Sequence, residues 1–579
     1  TLPVMPRLYL PLSGVLHLIP LYATLGPESP NSSSWRGSNY FITDENLPFI
    51  FDHFSPENGS AANFSVCGAT GSGKSVTVQS LVMMTETMDP YIMILDFGGG
   101  NVGSWTKLCS VMGGVELKFG SANPPRINPF QLSEADSKPN GRKKRDIAIE
   151  LGLDPDDKEV LSKIDTIYIY LRTDDSPRMD INLRKTEIVS RLPEFEDYEF
   201  KDIMDILSLG PGTSRPGEKG SESIRICLEL LLSVKVTEDG PVDNVWNSFS
   251  QDDINEAILK LFEDFRPPSG NSNYWPTLSD FRDVLENMQE ERLSGVGDSN
   301  KWGQDPIFNF SSLMQKLSVY CQGGLDPFID GQTNIDIRKS RIDEHGIRIE
   351  EPAKFVLADM AGISDTRKLA LYMIVINDFM SNILYNSKES RGIMIRDEAW
   401  LFMKSKIANP YLEADYRLAR KYGFSTVTIA QQYTDFKSAV LQNNTQTWII
   451  CSLASSEEIA AANMRFHFNE SEHSLFESKS MGTQIERDHF SGGIMDVYSR
   501  IMISNKSGKH FVKNKIGLAE RWITTTDPNE TFVYNFYKQL KMRDSPPFDI
   551  IKWLCEGEYK HDEELQEAIK KAGREMPKM

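Results

Sequence analysis

Gly68-Ala69-Thr70-Gly71-Ser72-Gly73-Lys74-Ser75 fits the pattern GxxxxGK(S/T) without a mismatch. Glycines in such a loop let backbone N–H groups turn inward around a β-phosphate, and the following helix offers its positive N-terminus to the anion. Lys74 would reach the β- and γ-phosphate oxygens, and the Ser75 hydroxyl would ligate Mg2+. These eight residues and the adjoining Val76 therefore predict a binding site for ATP and Mg2+.

The residues around this loop supply the strand–loop–helix context that it requires. Asn63–Cys67 is a short apolar run typical of a buried strand, and Ser75–Met88 has a helical pattern. A chance Gly/Ser loop is the alternative, and the flanking strand and helix disfavour it.

Apolar runs of strand length recur along the chain, and they are nearly continuous rather than alternating. They are Asn63–Cys67, Tyr91–Asp96, Lys354–Asp359, Gly392–Asp397, Ser425–Ala430 and Thr447–Ser452. Continuous apolar runs are typical of parallel strands that are covered on both faces. Helical patterns lie between several of them, at Ser75–Met88, Asp365–Tyr385 and Pro410–Tyr422. The alternation predicts an α/β fold with a mostly parallel sheet covered by helices.

This alternation stops between about residues 130 and 351, where the chain is polar and its periodic stretches are helical. These stretches are Asp146–Glu150, Ile181–Arg191, Ser221–Val234, Asp253–Phe265 and Leu278–Gln289. We therefore expect a large, mainly α-helical insertion rather than a second sheet. The predicted domains are an N-terminal leader (1–62), an ATPase domain (63–130 and 351–530), the insertion (131–350) and a C-terminal helical tail (531–579), whose segment Lys560–Lys571 resembles an exposed helix.

Two carboxylates end one of the predicted strands, in Ile393-Met394-Ile395-Arg396-Asp397-Glu398. Asp397 would hold a water bound to Mg2+, and Glu398 would polarise the water that attacks the γ-phosphate. The alternative is an acidic pair that caps the next helix, although the phosphate-binding loop favours the catalytic interpretation. Arg396 is a charge where an apolar residue is usual, so it pairs with an acid or faces a subunit boundary.

Other polar residues also follow predicted strands, at the edge where ligands bind in open α/β sheets. Gln431 follows Ser425–Ala430 and is a candidate sensor of the γ-phosphate, but its neighbour Gln432 is barely distinguishable from it. A purely structural amide remains an alternative for this position. Asp96 also ends a strand, and it either supports the metal site or starts a turn.

Arg417 and Arg420 lie three residues apart on the predicted helix that precedes the Gln431 strand, so they share one face. An arginine from one subunit can stabilise the transition state in a neighbour's site. A solvated basic helix end is the alternative that the spacing leaves open.

Composition limits the function classes. The formal net charge of -19 argues against a broad surface for duplex DNA, and the basic run Arg142–Arg145 is interpreted as a solvated loop. The 6 cysteines are scattered without ligand spacing. The apolar stretch Leu8–Leu25 is too short and interrupted to cross a bilayer. The grouping of His467, Glu470 and His473 matches no strong metal-binding template.

Several sequence blocks occur in an order that resembles one family of motors. These blocks are Gly68–Ser75, Arg126–Phe130, Thr277–Phe281, Phe328–Gly331 with Asn334–Asp336, Asp397-Glu398-Ala399-Trp400, Tyr416–Gly423 and Gln431. With them the chain resembles the large ATPases of conjugative and type IV secretion systems, the VirB/TraC type, within the HerA/FtsK superfamily. The resemblance runs from about Leu8 to Pro528 and looks like the C-terminal ATPase portion of that family.

The resemblance implies a RecA-like core with a helical insertion, a hexamer, and ATP hydrolysis that energises pilus assembly or substrate transfer. It further implies partners among other secretion-system components, a DNA or protein substrate bound transiently, and a place in the bacterial cytoplasm at the inner membrane. By the same analogy Arg420 is the better candidate for the trans-acting arginine, with Arg417 next. A ring-forming DNA translocase and a nucleotide-binding scaffold are the alternative functions.

Overall fold

The structure is a computed structural model. It describes residues 39–51, 54, 62–85, 89–98, 105–121, 123–132, 136–171, 180–232, 235–237, 240–242, 251–268, 273–294, 306–324, 326–335, 337–342, 348–386, 391–487, 494–506 and 508–577. Among these residues no helix is both long and apolar enough to span a membrane. The apolar stretch Leu8–Leu25 and most of the predicted leader lie outside the described residues.

Two compact units make up the chain. The first comprises Thr1–Ala122, Ile337–Ile363 and Asn377–Met579, and the second comprises Asn123–Asp336 and Ser364–Ile376.

The strands of the described residues are, in chain order, β1 (Asn39–Thr43), β2 (Pro48–Phe51), β3 (Phe64–Cys67), β4 (Tyr91–Asp96), β5 (Val115–Lys118), β6 (Ser137–Pro139), β7 (Ser214–Pro216), β8 (Lys235–Thr237), β9 (Gly240–Val242), β10 (Arg338–Ile342), β11 (Arg348–Pro352), β12 (Phe355–Asp359), β13 (Gly392–Asp397), β14 (Phe424–Ala430), β15 (Thr447–Ile450), β16 (Gly482–Arg487), β17 (Ile494–Asn505) and β18 (Gly508–Lys515).

The α-helices of the same residues are α1 (Lys74–Thr85), α2 (Thr106–Val111), α3 (Gly141–Glu150), α4 (Lys158–Leu171), α5 (Ile181–Arg191), α6 (Phe200–Leu207), α7 (Glu218–Leu232), α8 (Gln251–Asp264), α9 (Leu278–Leu293), α10 (Pro306–Ser318), α11 (Thr366–Asn386), α12 (Trp400–Lys404), α13 (Asn409–Tyr422), α14 (Ala439–Asn444), α15 (Ser456–Phe466), α16 (Glu470–Glu477), α17 (Leu518–Thr524), α18 (Pro528–Phe536), α19 (Pro547–Glu556) and α20 (Glu563–Lys571).

A mixed sheet forms the first unit, with 12 strands among the described residues and the order β2-β1-β18-β17-β15-β3-β14-β13-β4-β12-β5, β16 pairing with β17. The run from β15 to β5 is parallel. Apart from β5, which carries Glu116 and Lys118 at the edge of the sheet, these strands are almost continuously buried, as expected for parallel strands covered on both faces. The predicted α/β fold with a mostly parallel sheet is therefore confirmed, and every apolar run predicted as a strand is one.

The sheet also contains an antiparallel part that the sequence analysis missed. β17 joins the parallel run through β15 and pairs with β16 and β18, and β1 and β2 extend the far edge. Polar and charged residues interrupt β16, β17 and β18, so these three strands lack the continuous apolar signature. β1 and β2 are short, largely apolar strands that were not recognised. This part contributes to the site described below.

The second unit is mainly helical, as predicted for the insertion. It contains α3 to α10 and the small ribbons β6–β7 and β8–β9. Its helices α4, α6 and α10 were not predicted. The basic run predicted as a loop is instead the first turn and a half of α3, where Lys144 pairs with Asp165 and Arg145 pairs with Asp156.

Helices return after Pro528, as predicted, and they pack against the sheet. Trp522, Tyr534 and Tyr559 are buried in the same apolar cluster as Trp105 and the main strands. The last helix, α20, is exposed on one side and buries Leu565 and Ile569 on the other.

Candidate functional site

The phosphate-binding loop lies between β3, which is fully buried, and α1, which begins at Lys74. Gly71 and Gly73 have φ values of 77° and 91°, a region that side chains with a Cβ rarely adopt. Gly68 is required for a different reason. A Cβ there would lie 2.9 Å from Cys451 Cβ and 3.0 Å from Ser452 N.

Side chains from other strands hold this loop in shape. Ser452, directly after β15, accepts the Ala69 N–H on its Oγ at 3.1 Å. Lys74 Nζ donates to Ala69 O at 3.3 Å, so the lysine amine lies over the loop. Ser72 Oγ is buried and has no hydrogen-bond partner among the described residues. An unsatisfied buried hydroxyl in a glycine cradle fits a phosphate oxygen, because that oxygen would accept its proton.

The antiparallel strands contact the loop from a second side. Thr483 Oγ1 on β16 donates to Gly71 O at 3.0 Å. Ser499 on β17 is packed against Gly73 so closely that a Cβ on this glycine would collide with it. Neither residue was predicted to belong to the site, because their strands were not recognised.

The predicted metal residues come together. Ser75 Oγ donates to Asp397 Oδ2 at 3.1 Å, which joins the start of α1 to the end of β13. Trp105 Nε1 donates to the same oxygen at 2.8 Å, and the Glu398 N–H donates to Oδ1 at 2.9 Å. Burial raises the pKa of Asp397. This pair suits an Mg2+ bound directly by the Ser75 hydroxyl and, through water, by the Asp397 carboxylate.

Asp96 lies beside this pair, because β4 and β13 are parallel neighbours and Asp96 is in register with Asp397. Its Oδ1 accepts the Gly98 N–H at 2.9 Å, so it does start a turn. Burial and the adjacent Asp397 charge raise the pKa of Asp96 to about 8. Asp96 is thus both a turn residue and a second carboxyl group next to the metal pair.

Glu398 is held by two donors on one of its oxygens. Trp400 Nε1 and Gln431 Nε2 each donate to Oε2 at 3.0 Å, while none of the described residues donates a hydrogen bond to Oε1. Glu398 also has φ of 54°, a costly conformation that clusters at functional sites when it occurs outside glycine. The Glu398 carboxylate is therefore oriented by the two hydrogen bonds to Oε2, and Oε1 takes no part in them.

The structure separates the two candidate sensors. Gln431 touches Glu398, whereas Gln432 is exposed and caps the short helical turn Tyr433–Asp435. It also decides between the alternatives for Arg396. This side chain is 0 % exposed, pairs with Asp415, and donates through Nε to Asn377 Oδ1 at 2.9 Å. Arg396 therefore pairs with an acid and does not face a subunit boundary.

Arg417 and Arg420 are both exposed on α13. The Arg417 side chain is 61 % exposed, with its guanidinium 3.9 Å from the Glu413 carboxylate. Arg420 is in the last turn of α13, which ends at Gly423 with φ of 72°. Their action on a neighbouring subunit stays a prediction.

A phosphate-binding loop, a serine–aspartate metal pair and an oriented glutamate at the carboxyl edge of a parallel sheet define a P-loop NTPase. Comparison with known proteins narrows this class. Residues 50–169 match the TraG P-loop domain family. Protein TraC of Escherichia coli (strain K12) is 33% identical over 84 residues, which are 14% of this chain and 9% of that protein.

Comparison with solved structures supports the P-loop NTPase fold. VirB4 of Thermoanaerobacter pseudethanolicus is 14% identical with a TM-score of 0.50, over 85% of this chain and 100% of that chain. The plasmid coupling protein TrwB, in complex with the non-hydrolysable GTP analogue GDPNP, is 12% identical over 82% of this chain and 89% of that chain. Its TM-score of 0.35 is too low to support an inference. The matches to the TraG P-loop domain family and to TraC support the resemblance to the ATPases of conjugation and type IV secretion, and the VirB4 structure supports the fold.

Proposed function

We propose that this chain is the ATP-hydrolysing motor of a bacterial type IV secretion or conjugation apparatus, which energises pilus assembly or substrate transfer. The observation that carries the proposal is the meeting of Ser75, Asp397, Glu398 and Gln431 at one edge of the sheet. A nucleotide-binding scaffold has no need of an oriented glutamate beside the γ-phosphate position. A motor needs it to turn over.

Each residue of the site has a proposed role. The backbone of Gly68–Val76 binds the phosphates, Lys74 neutralises the β- and γ-oxygens, and Ser75 and Asp397 hold Mg2+. Mg2+ would neutralise charge that develops on the phosphates. Glu398 accepts a proton from the attacking water on Oε1, because Oε2 is engaged by Trp400 and Gln431. Gln431 would report the γ-phosphate to Glu398.

We propose that the motor acts as a homo-oligomer, a hexamer by resemblance, because Arg417 and Arg420 are exposed on α13 and so accessible to a neighbouring subunit. Arg420, with Arg417 as the second candidate, would enter a neighbour's site and stabilise the transition state. We further propose that it works with other secretion-system components in the bacterial cytoplasm, at the inner membrane, on a DNA or protein substrate that binds transiently. The domain boundaries predicted from sequence are part of the same proposal.

Turnover measured against protein concentration tests this function. Phosphate release from ATP is measured with Mg2+ or with excess EDTA, over a range of protein concentrations. The range extends from below to above the concentration at which sedimentation velocity shows self-association. We expect hydrolysis that requires Mg2+, rises per subunit as the protein assembles, and is indifferent to added DNA. Strong stimulation by duplex or single-stranded DNA would instead favour a DNA translocase. Nucleotide binding without turnover at any concentration would favour the scaffold.

A further inference from the structure

Helix α13 is joined to the strands of the nucleotide site through two adjacent buried residues, Asp415 and Tyr416. The Tyr416 hydroxyl donates to Phe64 O at 3.1 Å, and its oxygen lies 2.8 Å from Thr428 Oγ1 and 3.2 Å from Ser65 Oγ. These partners belong to β3, which leads into the phosphate-binding loop, and to β14, which ends before Gln431. Helix α13 is therefore attached to both strands by hydrogen bonds rather than by apolar packing alone.

Asp415 makes the third attachment, to β13. It pairs with Arg396, and it accepts from Asn377 Nδ2 at 3.2 Å and from Ser381 Oγ at 3.1 Å. Arg396 directly precedes Asp397, so the guanidinium is one residue from the metal-binding carboxylate and two from Glu398. Both charges are almost completely buried, and the pair is thus protected from the screening that weakens surface ion pairs.

The same helix also carries Arg417 and Arg420, whose side chains are exposed. Arg417 is two residues from Asp415, and Arg420 is four residues from Tyr416. A helix of this kind moves as one body, so a displacement of β13 that reaches Asp415 also displaces the two arginines. Buried ion pairs seldom add net stability over apolar replacements, which makes a positioning role the better reason for this one.

We propose that the Arg396–Asp415 pair is a positioning device that couples the nucleotide site of one subunit to the arginines it presents to its neighbour. A change at Asp397 and Glu398 is transmitted through Arg396 to α13, and from there to Arg417 and Arg420. The proposal rests on the proposed function, because it requires assembly and a trans-acting arginine. Arg396 and Asp415 have no proposed contact with the reacting atoms, so both are positioning residues.

An apolar replacement of the whole network tests the coupling without leaving a buried charge. The variant Arg396→Met/Asn377→Leu/Asp415→Leu removes the three polar partners together, because removing one ion alone strongly destabilises a buried pair. Ser381 can then donate to a carbonyl of its own helix. Arg396→Gln/Asp415→Asn, which removes both charges and keeps hydrogen-bonding groups, is the second variant. Arg417→Ala/Arg420→Ala is the comparison.

The readout is the ratio of turnover per subunit in assembled protein to that in dilute protein, with KM, nucleotide affinity and sedimentation measured alongside. We expect the network variants to bind nucleotide and assemble as wild type does, while the ratio falls by about tenfold or more, as misplaced catalytic groups cause. Their ratio should approach that of the arginine variant. A purely structural role would lower the unfolding temperature and leave the ratio intact.

The outcomes separate this coupling from the proposed function. If wild type shows no rise with assembly, the oligomeric motor and the coupling both fail. If wild type is stimulated and the arginine variant is not, the motor stands. The coupling is then overturned if the folded, assembled triple replacement keeps the wild-type ratio, and it is supported if that variant loses the ratio. If the triple replacement does not fold or assemble, the same two outcomes are judged on Arg396→Gln/Asp415→Asn.

Discussion

Replacing Glu398 by glutamine removes the proposed base and changes little else. The glutamine side chain has the same shape and keeps one oxygen, which can accept from either Trp400 Nε1 or Gln431 Nε2. In the wild-type chain both of these N–H groups donate to Glu398 Oε2 at 3.0 Å. The backbone φ of 54° is unaffected, because the penalty for this conformation comes from the Cβ that both residues carry.

The expected size of the effect differs between stability and turnover. Losing charge on the acceptor of two N–H groups costs about 1–2 kcal/mol of folding free energy. The loss is offset in part because the Glu398 charge contributes to raising the pKa of Asp96 and Asp397. A positioned base contributes about 10²–10⁴ to the rate, or roughly 3–5 kcal/mol of barrier. Turnover should therefore fall by about a hundredfold or more, whereas the free energy of unfolding should fall by less than about 2 kcal/mol.

Steady-state phosphate release at a fixed degree of assembly checks this expectation. KM and the affinity for a fluorescent nucleotide should stay within about threefold of wild type, because no phosphate-binding group is touched. Glu567→Gln on α20 is the matched control, since this exposed glutamate is remote from the loop and should leave turnover unchanged. A Glu398→Gln protein that keeps more than about a fifth of wild-type kcat would refute the assignment of Glu398 as the base.

Three further changes test other parts of the site. Gly73→Ala should lower the free energy of unfolding by more than about 1 kcal/mol in urea titration, because φ is 91° and the new methyl meets Ser499. Asp96 stays protonated in the native chain up to about pH 8, whereas the unfolded chain ionises near 3.8, so native stability falls as pH rises between these values. Asp96→Asn should therefore raise the unfolding temperature at pH 8 and leave it nearly unchanged below pH 4, and an equal shift at both would contradict the buried-acid explanation. Arg420→Ala should reduce turnover of assembled protein by about 10³ without weakening nucleotide binding, and Arg417→Ala should do less. Equal turnover of Arg420→Ala and wild type at full assembly would exclude Arg420 as the trans-acting group.

The parallel strands and the core of the site were predictable because their physical signals are local. A strand covered on both faces has to be continuously apolar, and polar residues at its carboxyl end then stand out. Gly68–Ser75, Asp397 and Glu398 were found in this way, and the structure brings them within hydrogen-bonding distance. The choice between Gln431 and Gln432 needed the structure, because adjacent amides differ only in the direction that the chain takes after β14.

Other site residues gave no local signal. Trp105 donates to Asp397 across a separation of 292 residues along the chain, and it precedes a helix of only 6 residues. Thr483 and Ser499 contact the phosphate-binding loop from β16 and β17. The polar and charged residues of these two strands are equally typical of an exposed hairpin. Sequence patterns report the period and polarity of one element. They contain nothing about which distant element pairs with it, so contacts made by tertiary pairing alone could not be predicted.

The carboxyl edge of the sheet concentrates negative charge in a way that favours function over stability. β12, β4 and β13 are adjacent, parallel and in register, and they end in Asp359, Asp96 and Asp397. Burial raises the pKa of each of these acids, which means that the ionised forms are disfavoured in the protein without a bound cation. An ordinary core would replace them with apolar residues at a gain in stability. The three acids lie side by side at one edge of the sheet, and the Ser75 hydroxyl donates a hydrogen bond to Asp397. A cation bound there with a phosphate chain would stabilise the ionised carboxylates, which explains these acids best.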